Sequence, residues 1–315
     1  MTDKEGVVLH LPAEWLTGDG EGPMPFYQRL QDGFRQLGIA SEVVPINRGT
    51  LAEQVEADRR FHILNHARHE HPRVLTAGVA YIYPFWNLDP KGIRAFSSIA
   101  DKRFRPGTID ADKAKRFYKR LRQRWVDRRE SRYEQSELRT EIPEGCVAVF
   151  FQSEANRDVA ETCYLDRWQM LDTVLATVDG PVVVKPHPRD LDEDMIDRLL
   201  ALHAAHPNLV ISQANIHDIL AVAKRVVTIN SAVGIEAFLH RKPVILCGQS
   251  DFHHIADVAR TPDELATLLT SEPRGRVYAK FLYWYFAQNC INAGRDDMAR
   301  EVARRIQATG YDLGL

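Results

Sequence analysis

Pro181-Val182-Val183-Val184-Lys185-Pro186-His187-Pro188 begins as an unbroken apolar run and ends in an ammonium, an imidazole and two prolines. A short β-branched run without alternation is the pattern of a parallel strand buried on both faces. Proline cannot continue such a strand, so Pro186 and Pro188 stop it and restrict the backbone on either side of His187. A second stretch has the same layout: Arg225-Val226-Val227-Thr228-Ile229 runs into Asn230-Ser231-Ala232-Val233-Gly234-Ile235-Glu236-Ala237. Both stretches open into helical sequence and place polar groups at the carboxyl edge of one parallel sheet, where open α/β sheets bind ligands.

Around these two stretches, strand and helix signals alternate. Further strands are expected at 147–151, 209–211 and 243–246, with helices near 165–178, 192–203, 216–223 and 232–239. The first third alternates in the same way, with strands at 7–11, 41–46, 61–64 and 73–83 and helices near 26–37 and 51–57. Such alternation is the signature of βαβ units, and 315 residues suffice for two cores. The fold class expected is α/β with two Rossmann-like domains and C-terminal helices. The breakers in Glu141-Ile142-Pro143-Glu144-Gly145 mark the link, giving domains at 1–140 and 146–275 and terminal helices at 276–315 that pack across them. Aromatics at Phe281, Tyr283, Trp284, Tyr285 and Phe286 read as a packing surface.

Composition is that of an ordinary globular chain, 44% hydrophobic and 27% charged. No apolar run approaches the roughly 20 residues of a membrane span, and Met-Thr-Asp-Lys-Glu lacks a secretory layout, so a cytoplasmic location is expected. Four separated cysteines with no CxxC read as reduced thiols. The net charge of -2 conceals an asymmetry: residues 102–132 hold thirteen Lys or Arg against four acids. Phe117, Leu121 and Trp125 recur every fourth residue there, predicting one long helix over about 110–133 whose basic face is solvated or meets an anionic membrane surface or acidic glycan. No nucleic-acid fold signature accompanies it, so nucleic acid is not an expected partner.

At the first motif, Lys185, His187 and Arg189 form an anion site, and Pro188 shapes it. At the second, Ser231 is expected to cap a helix whose free N–H groups face a phosphate. Gly234 would allow a ligand or a neighbouring strand to approach its first turn. Glu236 either accepts from ribose hydroxyls or complements the helix dipole.

The Lys-Pro-His-Pro segment, the Asn-Ser-Ala-Val-Gly-Ile-Glu-Ala segment and the closing Arg241-Lys242-Pro243-Val244-Ile245 resemble the capsule polysaccharide biosynthesis proteins, which include Kdo transferases, and more distantly the bacterial sialyltransferases. The resemblance covers about residues 147–250. It implies a GT-B-like glycosyltransferase, with two Rossmann-like domains facing across a cleft, the first on the acceptor side and the second holding the nucleotide sugar. His187 would contact the donor phosphate, Ser231 and its helix would hold the same group, and Gln152, with Asn230, would line the cleft. The implied donor is a CMP-activated acidic sugar such as CMP-Kdo. The acceptor would be a capsule or other bacterial surface glycan or glycolipid, and the enzyme would be peripheral to the inner membrane. No cofactor or metal is implied, because the histidine and helix terminus would stabilise the departing phosphate.

For the catalytic carboxylate the residues offer Asp89, which follows a strand-like run among aromatics, and Glu154, just beyond the first strand of the second domain. Both also have ordinary readings, as a turn residue before Pro90 and as a helix cap. Two alternative functions fit the same motifs: transfer of glycerol phosphate from CDP-glycerol, and nucleotide binding without catalysis in a scaffold protein. His62, His66, His69 and His71 form the densest histidine cluster, but no carboxylate or cysteine joins them at a metal spacing.

Overall fold

The computed structural model describes residues 6–17, 24–131, 133–138, 140–152, 162–187 and 192–315. The chain forms two compact units. One comprises residues 1–102 with 285–315, the other residues 103–284.

The first unit carries a six-stranded sheet. Its strands are β1 (Val7–Leu11), β2 (Ser41–Pro45), β3 (Phe61–Asn65), β4 (Val74–Val79), β5 (Phe85–Asp89) and β12 (Ile291–Asn292), in the order β12-β5-β4-β3-β1-β2. β1 to β4 pair in parallel, whereas β5 and β12 add antiparallel edges. The expected strand at 73–83 therefore ends at Val79. The chain turns through Ala80–Pro84, whose backbone bonds close on Phe85, and returns as β5.

One face of this sheet buries Phe61, Leu75 and Trp86 beneath α1 (Pro25–Gln36) and α10 (Met298–Gln307), with Phe26 of α1 stacked on Trp86 at 4.2 Å. The two helices touch at Gly33, where a Cβ would stand 2.3 Å from that of Ala299. The other face carries α2 (Leu51–Ala57), which covers Leu64 and Val74 through Leu51 and Val55.

The second unit carries an all-parallel sheet, as its continuous β-branched runs predict. β6 (Val147–Phe150), β7 (Val182–Lys185), β8 (Leu209–Ile211), β9 (Arg225–Thr228), β10 (Val244–Leu246) and β11 (Asp257–Val258) lie in the order β11-β10-β9-β6-β7-β8. Its helices include α4 (Arg167–Thr177), α5 (Glu193–Ala205), α6 (Ile216–Val222), α7 (Val233–Leu239), α8 (Pro262–Thr270) and α9 (Tyr278–Leu282). Side-chain caps start several of them: Asp166 in a capping box with Gln169, then Asp192 and Asn215.

The basic helix α3 (Ala111–Trp125) belongs to this second unit rather than to an amino-terminal domain reaching residue 140. The reason is its apolar stripe. Phe117, Tyr118, Leu121 and Trp125 are buried, each contributing about 1.5–3 kcal/mol. Tyr118 donates at 3.2 and 2.8 Å to the carbonyls of Phe238 and Leu239, and Arg122 donates to that of Leu239. These carbonyls lie at the end of α7, where a donor or cation is favourable, and that of Phe238 also accepts from Arg241 N. The helix stops at Trp125, short of the expected 133, and Arg129 turns the chain with φ +55°.

The terminal segment also divides. Phe281 and Trp284 pack with Phe104 in the second unit, while Tyr285 and Phe286 contact Tyr81 and Phe85 in the first. β12 and α10 then complete the first unit instead of forming a separate helical segment from 276.

Candidate functional site

Strand register brings the two motifs together. Phe150 of β6 pairs with Lys185 of β7 and with Thr228 of β9. Gln152, His187 and Asn230 each lie two residues beyond that rung, so the three polar side chains converge at the carboxyl edge of the sheet. The Asn230 amide N–H donates to Gln152 Oε1 at 3.3 Å, and Asn230 Nδ2 donates to the Gln249 carbonyl at 2.9 Å. Gln152 Nε2 is buried without a partner among the described residues, a donor at the centre of the edge.

Lys185 points elsewhere. Its ammonium donates to the Ala214 carbonyl at 2.8 Å, and burial lowers its pKa. Its contact is thus with the chain segment that leads into α6. Ser231 is not the cap of α7. That position is Ala232, in helical conformation and without a side-chain bond, while the Ser231 hydroxyl accepts weakly from Val233 N at 3.4 Å. Gly234 serves packing: a Cβ there would meet the Phe252 ring at 2.8 Å, so the closely approaching group is an aromatic ring. Pro188, Arg189 and Glu154 lie outside the described residues.

The loop after α3 was not singled out by its sequence, and it joins the motifs. Ser131 donates to Glu236 Oε1 at 2.7 Å, and Glu236 is otherwise enclosed, with 3% of its surface exposed. The Tyr133 ring stands edge-on to His187 with centroids 4.9 Å apart and planes at 90°. Arg129 pairs with Asp218 at 2.6 Å. Asn215 Nδ2 donates to the carbonyls of Arg129 and Ser136, and Gln135 accepts from Ile216 N. His217 Nε2 donates to the Glu130 carbonyl at 2.7 Å. Because burial lowers the His217 pKa and keeps the ring neutral, its Nδ1 accepts from His240 Nε2 at 2.9 Å. The loop thereby frames a cavity of about 510 Å³ lined by Trp125, Arg129, Tyr133, Gln135 and Asn215. Trp125 Nε1 and Arg129 Nε are unpaired donors buried in its wall.

Asp89 lies in the first unit with its carboxylate hydrogen-bonded to the loop that follows. Oδ1 accepts from the backbone N–H groups of Lys91, Gly92 and Ser98 at 2.9, 3.4 and 2.9 Å, and Oδ2 accepts from the Ser98 hydroxyl at 2.6 Å. A carboxylate has about four acceptor sites, two on each oxygen; Oδ1 is fully engaged, while Oδ2 keeps one site beside the Ser98 bond. Asp89 organises the loop after β5.

The histidine cluster disperses. His62 pairs with His10 of β1 at 2.9 Å, His66 occupies φ +51°, and His69 stacks on His71, which reaches Glu56 at 3.5 Å. Among the described residues no group of three His, Cys, Asp or Glu side chains is placed to hold a metal ion. Nor is any helix among them long and apolar enough to cross a membrane.

Two solved structures share the fold. The β-Kdo 2,7-transferase of KpsC from Thermosulfurimonas dismutans superposes with a TM-score of 0.57 at 13% identity, covering 98% of this chain and 100% of that one. The β-Kdo 2,4-transferase of the same protein gives 0.53 at 14% identity, covering 88% and 89%. At such identity the likeness establishes a mixed α/β architecture with two parallel-sheet units. No curated protein sequence matches the chain. Residues 100–292, more than half of the chain and all of the site just described, match a family description. By that match the chain belongs to the capsule polysaccharide biosynthesis protein family.

Proposed function

We propose that this chain is a glycosyltransferase that moves an acidic sugar from a CMP-sugar donor onto a capsule or other surface glycan. One observation carries the reading. In a member of the capsule biosynthesis family, His187 and Glu236 are both contacted by the single loop Ser131–Tyr133, beside the carboxyl edge of an all-parallel sheet. His187 meets the donor phosphate, with Asn230 and Ser231 at the same sheet edge. Glu236 accepts from the ribose, and the cavity bounded by Trp125 and Tyr133 receives the base.

In this reading the transfer needs no metal, because the imidazole supplies the positive charge that the leaving phosphate requires. With Asp89 engaged in its own loop, Glu154 is the remaining carboxylate for the acid–base step. Incubating the protein with CMP-Kdo and a capsule-type glycan in EDTA, and measuring CMP release and glycan mass, tests the assignment. Transfer abolished in His187→Ala and Glu154→Gln supports it. A mass gain of glycerol phosphate from CDP-glycerol, or no transfer from any cytidine donor, contradicts it.

A further inference from the structure

The face of the first sheet opposite its main core is only partly covered. Beside α2 a cavity of about 920 Å³ opens over β1 and β2, lined by Val8, His10, Val44, Arg59, Arg60 and His62. That volume is within the range of small-molecule sites.

Register places the two histidines on one face. Val8 pairs with His62, and His10 alternates with Val8 along β1. His10 Nε2 and His62 Nδ1 are 2.9 Å apart, and the two residues are 2% and 1% exposed. Burial lowers both pKa values to about 4, so both rings are neutral near pH 7. The outer nitrogens, His10 Nδ1 and His62 Nε2, are buried and have no partner among the described residues. Buried polar atoms are nearly always paired, so this wall offers two polar atoms for which a ligand can compete.

Proton bookkeeping defines what the pair can bind. Two neutral imidazoles sharing one hydrogen bond leave one outer nitrogen protonated and the other as a lone pair, whichever tautomer is chosen. A hydroxyl-bearing molecule can both donate and accept. The charge at the rim is unequal. Arg60 is held by Asp58 at 2.7 Å and Glu42 at 2.6 Å, whereas Arg59 is exposed and has no carboxylate partner among the described residues. Val8, Val44 and Pro45 offer an apolar strip for ring C–H groups. No third metal-ligating side chain joins the pair among the described residues.

We propose that this cavity is a second binding site, for a hydroxylated anion of sugar size, with its hydroxyls on the His10–His62 pair and its carboxylate or phosphate on Arg59. Its use by the transferase would rest on the reading above; the binding itself does not.

The test is NMR of the full-length protein with ¹⁵N-labelled histidine, titrated separately with glucuronate, glucose 1-phosphate, glucose and inorganic phosphate. Saturable shifts at both His10 and His62 are expected with at least one sugar anion. Affinity should be about tenfold weaker for glucose and for phosphate, and about tenfold weaker for the sugar anion in Arg59→Gln. Glucuronate alone or glucose 1-phosphate alone would identify the anionic group. The proposal is overturned by no saturable shift or by equal affinity in Arg59→Gln. CMP binding measured on the same samples keeps this outcome separate from the transferase reading, and Arg59→Gln should leave it unchanged.

Discussion

The hydroxyl of Ser131 donates to Oε1 of Glu236 at 2.7 Å across 105 residues of sequence. The bond fixes a carboxylate that is almost wholly enclosed and ties the loop after the basic helix to the second motif. Tyr133, two residues on, meets His187 of the first motif. The site is therefore assembled by a segment that carries neither motif.

Ser131→Ala removes a charge-assisted bond to a buried group. CMP affinity should fall about tenfold, and Ser131→Thr should recover most of it. Tyr133→Ala, losing an edge-on aromatic contact of about 0.5–1.5 kcal/mol, should weaken CMP roughly threefold to tenfold, with Tyr133→Phe close to wild type. Calorimetry on the four variants is the check, and unchanged affinity throughout would detach this loop from the site.

Asp89→Ala should destabilise the first unit by on the order of 1–3 kcal/mol, because it strands the buried N–H of Gly92 and the part-buried N–H groups of Lys91 and Ser98. Thermal unfolding reads the loss. Asp89→Asn keeps an acceptor for the backbone donors, so it should retain transferase turnover. An Asp89→Asn enzyme with an unchanged Tm and no turnover would return this residue to the chemistry.

His10 and His62 set an acid limit. Their folded-state pKa values are lowered to about 4, mainly by burial and, for His62, next by the neighbouring His10, against about 6.5 in the unfolded chain. The unfolded chain therefore binds more protons between these values. The stability these residues contribute is fully present above about pH 6.5 and is lost as pH falls toward 4. Asp58, Arg60 and Arg73 are the charged groups that act on the pair. Denaturant titrations from pH 7 to pH 4 should show this decline in the first unit, and His62→Gln should flatten it.

The outward face of α3 carries Lys113, Lys115, Arg116, Lys119, Arg120 and Arg124, all exposed. An anionic vesicle surface attracts about 1 kcal/mol per basic residue near it. Sedimentation with phosphatidylserine vesicles should show binding that weakens with salt and is lost on changing Lys115, Lys119 and Arg120 to Glu. Neutral vesicles should not bind. Equal binding to both kinds would exclude an electrostatic role for this face.

Much of the fold was legible because buried parallel strands announce themselves: 147–150, 182–185 and 225–228 are β-branched runs stopped by proline or polar residues. The breaks in the reading have physical causes. β5 and β12 are antiparallel strands without a βαβ signature, so the expected strand at 73–83 overruns the turn before β5, and β12 falls in a segment that reads as helix. The basic helix was assigned by chain order, although its destination is decided by which carbonyls Tyr118 and Arg122 reach. In the site, His187, Asn230 and Gln152 follow from strand ends. Ser131 and Tyr133 did not, because their placement depends on bonds from Asn215, His217 and Asp218 far along the chain. Gly234 was ambiguous between ligand and packing until the Phe252 ring was located.

The central claim is that His187 and Glu236 form the phosphate and ribose contacts of a cytidine-nucleotide site. Calorimetry with CMP and UDP on the wild type, His187→Ala and Glu236→Gln tests it most directly. The account predicts that the wild type binds CMP in preference to UDP, and that each substitution weakens CMP by about tenfold or more while leaving Tm largely intact. Absence of CMP binding, preference for UDP, or undiminished CMP affinity in both variants would contradict it.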